Sequence, residues 1–130
     1  MTSTATPTAP ALRGTGRALA RAGHAAALIV VLVAASHLTG FGWPFWVLLA
    51  VPDLTLIAGG GPGLAKGQLR PEAVRWYNAA HSLLGPVLVL GLAALTGLTG
   101  VAAAGFGWAA HVLLDRALGY GRRGADGFRR

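Results

Sequence analysis

The chain has no cysteine, one methionine and only four acidic residues among 130. Without cysteine there are no disulfides, no thiolate nucleophile and no Cys-ligated metal site. Any metal ligands must therefore come from His, Asp and Glu. Charged residues of both signs make up 12%, about half the share of an ordinary soluble domain. Too little charge remains to cover a water-exposed surface, while hydrophobic residues reach 54%.

The charge that is present is lopsided, with eleven Lys and Arg and a net charge of +7. A basic excess can mark a nucleic-acid partner. Here the positive residues do not interleave with aromatics on one face but lie outside long apolar stretches. That is the arrangement of basic residues flanking membrane spans, so the expected partner is a lipid bilayer and not a nucleic acid.

Residues 1–16 are rich in Thr, Pro and Ala without periodicity and read as a disordered tail. Four apolar stretches follow, at about 18–38, 43–60, 72–96 and 101–121. Each supplies roughly the 20 residues a helix needs to cross a bilayer core, the second only just. Helix is the expected conformation, since an isolated strand cannot satisfy its backbone in lipid. Arg13, Arg17 and Arg21 precede the first stretch, Lys66, Arg70 and Arg75 surround the middle connection, and Arg122, Arg123, Arg129 and Arg130 follow the fourth. The two remaining connections, TGFG and TGLTG, carry no charge. This predicts an all-α, four-helix transmembrane bundle in the cytoplasmic membrane with both termini cytoplasmic. It comprises a disordered tail (1–16), a four-span membrane domain (17–121) and a basic cytoplasmic tail (122–130). Basic residues, an apolar core and Ser36 also resemble a cleavable signal peptide; cleavage would leave three spans in the same orientation.

An ionisable side chain near the bilayer centre costs about 2.5–3.5 kcal/mol on insertion scales, so it turns inward and finds a partner. At 1.5 Å per residue, Asp53 lies roughly 15 Å from the outer end of the second stretch. Asn78 and His81 lie roughly 9 and 14 Å into the third, and His111 roughly 15 Å into the fourth, with Asp115 one turn deeper. All five share one slab. Asn78 and His81, spaced i and i+3, share a helix face, as do His111 and Asp115 at i and i+4. Pro52 removes a backbone donor beside Asp53, which bends the helix and turns a carbonyl oxygen toward the site. Gly105, Gly107, Ala109 and Ala110 let the fourth helix approach its neighbours closely.

Three readings of this cluster stand open. One is a structural polar core, with Asp115 paired to Arg116 or a histidine. The second is a site for a divalent metal such as zinc, manganese or iron, built from imidazoles and carboxylates of three helices. A metal with an open position would activate water toward a hydrophobic or lipid-like substrate, with a spare carboxylate as base. The third is a proton or ion path, as in a small transporter component or accessory subunit, for which a homo-oligomer would provide the room. Whether the protein is an enzyme stays open among these. His24 and His37 lie about 220° apart around their helix and cannot share a face. The GGGPG run at 59–63 lacks the Gly-Lys-Ser/Thr of a phosphate loop and reads as a flexible helix exit.

The segments PDLT (52–55), YNAAH (77–81) and HVLLDRALGYG (111–121) resemble an uncharacterised family of small bacterial integral membrane proteins. That family, domain of unknown function four-two-six-zero, carries Pro-Asp-Leu-Ser, Tyr-Asn-x-x-His and His-x-x-x-Asp-Arg-x-x-Gly-Tyr-Gly motifs. The resemblance covers roughly residues 21–128. Thr55 stands where Ser is usual, and His24 lies near where members often have Glu. The resemblance implies a polar site of Asp53, Asn78, His81, His111, Asp115 and Arg116, with Tyr77 and Tyr120 as accessory residues, and implies no established activity.

Overall fold

A computed structural model describes residues 9–130, with side chains from Arg13 onward. It is all-α: no strand occurs among the described residues, only an isolated bridge between Arg123 and Arg129. The helices are α1 (Ala9–Thr39), α2 (Trp43–Ala50), α3 (Leu54–Gly59), α4 (Pro71–Ala80), α5 (Leu84–Thr96) and α6 (Thr99–Leu118). The expected tail differs from this in part. Residues 1–8 lie outside the described residues, but 9–16 belong to α1. Once a helix is nucleated further along, each added residue gains a hydrogen bond, and Pro10 is tolerated in a first turn.

Helix α6 is the hub, packing against α1, α2 and α5. Its small-residue face is what allows this. Ala103, Gly105, Gly107, Ala109 and Ala110 are buried. A Cβ at Gly105 would come within 2.8 Å of the Leu90 side chain, and one at Gly107 would overlap the Phe45 carbonyl. Ala35, Phe45, Ala103 and Ala110 form the centre of the core, with Leu28, Leu32, Phe41 and Phe106 packed around them.

Two runs are long and apolar enough to cross a membrane, 13–39 and 71–96. Only 6% and 17% of their apolar windows are buried within the chain. A core helix of a water-soluble protein would be mostly covered; here Ile29, Val30, Leu84, Val87 and Leu88 all point outward. Such a continuous apolar exterior suits acyl chains and not water. The 43–59 region is apolar but shorter.

Two of the expected spans are broken, and both breaks lie beside the polar residues. Between α2 and α3 a 3-10 turn spans Val51–Asp53, the bend expected at Pro52. Between α4 and α5 the helix opens at residues 81–83, where Pro86 in the next turn supplies no backbone N–H and its ring opposes the carbonyl four residues earlier. Backbone groups freed by a helix break need partners, and two carbonyls here have side-chain donors. Trp108 Nε1 donates to the Ala80 carbonyl at 2.6 Å, and Arg116 donates to the His81 carbonyl at 3.2 Å.

The basic segment 122–130 is packed against the rest of the chain. It folds back on itself and onto the α3–α4 connection, with Leu69 N–H donating to Gly127 O at 3.0 Å and Gln68 Nε2 to Asp126 O at 3.0 Å. Gly119, at φ +87, provides the left-handed residue that ends α6 and starts this turn.

Candidate functional site

Asp53, His81, His111 and Asp115 meet at one point between α2–α3, α4–α5 and α6. His81 Nε2 lies 3.7 Å from Asp53 Oδ1 and 3.6 Å from Asp115 Oδ2. His111 Nε2 lies 3.7 and 3.8 Å from the same two oxygens. The two ring nitrogens and two carboxylate oxygens thus alternate around a common centre. One donor atom each from Asp53, His81 and His111 all fall within 4.8 Å of one another, a group that can hold a metal ion.

The orientation of the rings is built in. His81 Nδ1 is 2.9 Å from the Tyr77 carbonyl, and His111 Nδ1 is 2.8 Å from the Leu49 carbonyl. A carbonyl can only accept, so each Nδ1 carries a proton, and in the neutral imidazole Nε2 then presents its lone pair to the centre. The Leu49 carbonyl, one turn before Asp53, thus orients His111. The His81 ring is further fixed by the Tyr77 ring, stacked at 3.9 Å between centroids and 20° between planes. Both imidazoles are buried, and neither Nε2 has a hydrogen-bond partner.

The 3.6–3.8 Å separations are too long for hydrogen bonds. The two 3.7 Å separations between the imidazoles and Asp53 are near the donor–donor edge of a tetrahedral site, about 3.4 Å for ligand distances near 2.1 Å. A hydrogen-bonded structural network would draw these atoms to under 3.2 Å. Asp53 leaves the site open on one side, since its side chain is 57% exposed while that of Asp115 is 21% exposed.

The remaining expected site residues have other partners. Asn78 does not join the centre. It clasps the C-terminal turn, donating to Arg123 O at 3.0 Å and accepting from Arg123 N–H at 2.8 Å. At i and i+3 it shares a face with His81 only loosely, and its amide is drawn to the backbone of that turn. Arg116 does not pair with Asp115; it closes the helix break at His81. Tyr120 lies beneath the Arg129 guanidinium, 4.3 Å from the ring centre. His37 is exposed and His24 partly buried near Arg17, Arg21 and Arg116, both away from the cluster.

Two contributors had no individual signal in the sequence. Arg123, read only as one of several topology-setting charges, is buried at 9% exposure, and its NH1 donates to Gly67 O and Gly127 O at 2.8 Å each. Arg21 donates to the Ala117 and Leu118 carbonyls at 2.9 and 3.0 Å, tying α1 to the C-terminal end of α6, where a cation is favoured.

Fold and site together define a helical, membrane-type protein with an inward-facing His/Asp cluster. The family profile described as Domain of unknown function (DUF4260) matches residues 17–130, and the chain belongs to that family. No curated protein and no solved structure matches it.

Proposed function

We propose that this is a four-span protein of the cytoplasmic membrane, with both termini cytoplasmic, that binds a divalent transition metal and uses it to hydrolyse a hydrophobic ester. The observation that carries the metal is the pair of imidazoles, each locked through Nδ1 to a backbone carbonyl and each aiming an unpartnered Nε2 at two carboxylate oxygens. Outer hydrogen bonds that set the tautomer in this way are typical of ligating histidines. The donor set of two nitrogens and carboxylate oxygen suits zinc, manganese or iron.

His81, His111 and Asp53 hold the ion in this reading, and the exposed side of Asp53 admits water and substrate. Water beside such an ion becomes acidic near neutral pH. Asp115, facing both histidines from the same helix as His111, would take the proton from such a water. The water oxygen bonds to the ester centre, the bond to the leaving oxygen breaks, and the proton passes from Asp115 to that oxygen. An apolar groove of about 610 Å³, lined by Leu48, Val51, Trp76, Leu88 and Trp108, supports a hydrophobic substrate. It borders Val51 and Ala80, close in the chain to Asp53 and His81.

Detergent-purified protein is expected to contain one equivalent of metal by elemental analysis. It should hydrolyse a chromogenic ester (p-nitrophenyl butyrate or bis-p-nitrophenyl phosphate) in a chelator-sensitive manner. Asp115→Asn should retain the metal while losing turnover by about 100-fold or more, the usual contribution of a general base. A folded, metal-free wild type sinks the metal reading, and a fully active Asp115→Asn sinks the base. For the topology, cytoplasmic reporters fused after Arg130 and inserted at Lys66 should both be active; an inactive reporter at either place refutes four spans with this orientation.

A further inference from the structure

A cavity of about 220 Å³ lies directly against the centre, lined by Asp53, Asp115, Tyr77, Tyr120, Arg123 and Arg129. It is far smaller than the apolar groove and suits a polar headgroup better than a whole lipid. Two arginines face the two aspartates across this cavity, and neither is ion-paired with them. Among the described residues the pairs not involving histidine reduce to Arg130 with Asp126. Arg123 sits over the Tyr77 ring at 4.9 Å, and its buried Nε has no hydrogen-bond partner. Arg129 is held over Tyr120, at the mouth of the same cavity.

From this juxtaposition we infer that the cavity binds a phosphoryl group, placed between the metal and the Arg123–Arg129 pair, so that the ester cleaved is a phosphoric ester. The inference rests on the metal-centre reading given above. Charge is the first argument. Two aspartates and two arginines sum to zero, and a divalent ion brings the lining to +2, so the loaded site attracts an anion that the empty one does not. Shape is the second. The cationic groups approach from the ion on one side and two guanidiniums on another. Arg123 NH1 is already held by the Gly67 and Gly127 carbonyls, which leaves its unpartnered Nε, with the Arg129 fork, as donors; a tetrahedral phosphoryl has oxygens for the ion and for both arginines, whereas a carboxylate has only two to share. Hydrolysis then forms the bond from water oxygen to phosphorus and breaks the one to the leaving oxygen, with the proton moving through Asp115 as before.

The test is calorimetric titration of zinc-loaded and metal-stripped protein with inorganic phosphate, and, in nanodiscs, with phosphatidic acid against phosphatidylcholine. Metal content is measured separately on every sample. Binding of phosphate or phosphatidic acid to the zinc-loaded form, absent from the stripped form, is expected. Arg129→Gln should weaken it about 10- to 100-fold, as loss of a charge-assisted hydrogen bond does, with zinc content unchanged and partial recovery in Arg129→Lys. Binding of phosphate alone identifies a soluble phosphoric ester as the source; binding of phosphatidic acid without free phosphate identifies a lipid headgroup. Zinc-loaded protein that binds neither probe, or an Arg129→Gln variant that binds as well as wild type, overturns the phosphoryl site while leaving the metal centre standing. Protein that takes up no zinc overturns both, and the metal analysis shows which has failed.

Discussion

His111→Ala is expected to abolish stoichiometric metal, lowering affinity by more than about 100-fold. Loss of an outer hydrogen bond to a ligand alone typically costs 10- to 100-fold, and this substitution removes the ligand itself. It also leaves the Leu49 carbonyl without its 2.8 Å donor. Competition against a chromogenic zinc chelator measures the affinity, and thermal unfolding with and without zinc measures its coupling to folding. Zinc at 100 times its Kd should stabilise the wild type by about 2.7 kcal/mol and the variant not at all. His37→Ala, exposed and away from the cluster, should behave as wild type. If His111→Ala still holds zinc with wild-type affinity, the convergence of imidazoles serves packing and not coordination.

The second large effect lies at a residue with no polar atom in its side chain. Gly107→Ala places a Cβ against the backbone carbonyl of Phe45, and a backbone group cannot rotate out of the way. Helices α2 and α6 must separate, at a cost of about 3 kcal/mol or more, the upper end for overpacking. The same seam runs on by four residues on each helix to His111 and Leu49, whose hydrogen bond sets one imidazole. Gly107→Ala should therefore lower both unfolding stability in micelles and zinc affinity, although it touches no ligand. Gly91→Ala on α5 is the control: nothing lies within 4 Å of its new Cβ, so stability should hold or rise, by up to about 1 kcal/mol from helix propensity. Equal stability of Gly107→Ala and wild type would show that α2 and α6 are not in backbone contact.

Much of the site could be read from spacing. His111 and Asp115 share a face because four residues make about one turn. The close approach of α6 was legible in Gly105, Gly107, Ala109 and Ala110, since small residues permit contacts that larger ones prevent. The bend at Pro52 was legible because proline has no N–H. Asn78 was misassigned for a matching reason: its position placed it near His81, but its amide is satisfied by the backbone of Arg123, 45 residues away. No periodicity reports a contact of that kind. The break at residues 81–83, and the Trp108 and Arg116 donors that stabilise it, were equally invisible, as was the folding back of 122–130.

The sequence by itself determined the helical class, the apolar exterior, the absence of thiol chemistry and the four polar side chains able to meet. It could do so because these depend on composition and on angles within single helices. Tertiary structure decided that the four meet around one centre, that each imidazole is locked by a particular carbonyl, and that Arg123 and Arg129 border the cavity beside them. Those facts depend on how far one helix slides and approaches along another. That register is set by the summed packing of small residues, helix breaks and loop hydrogen bonds, which no local pattern records.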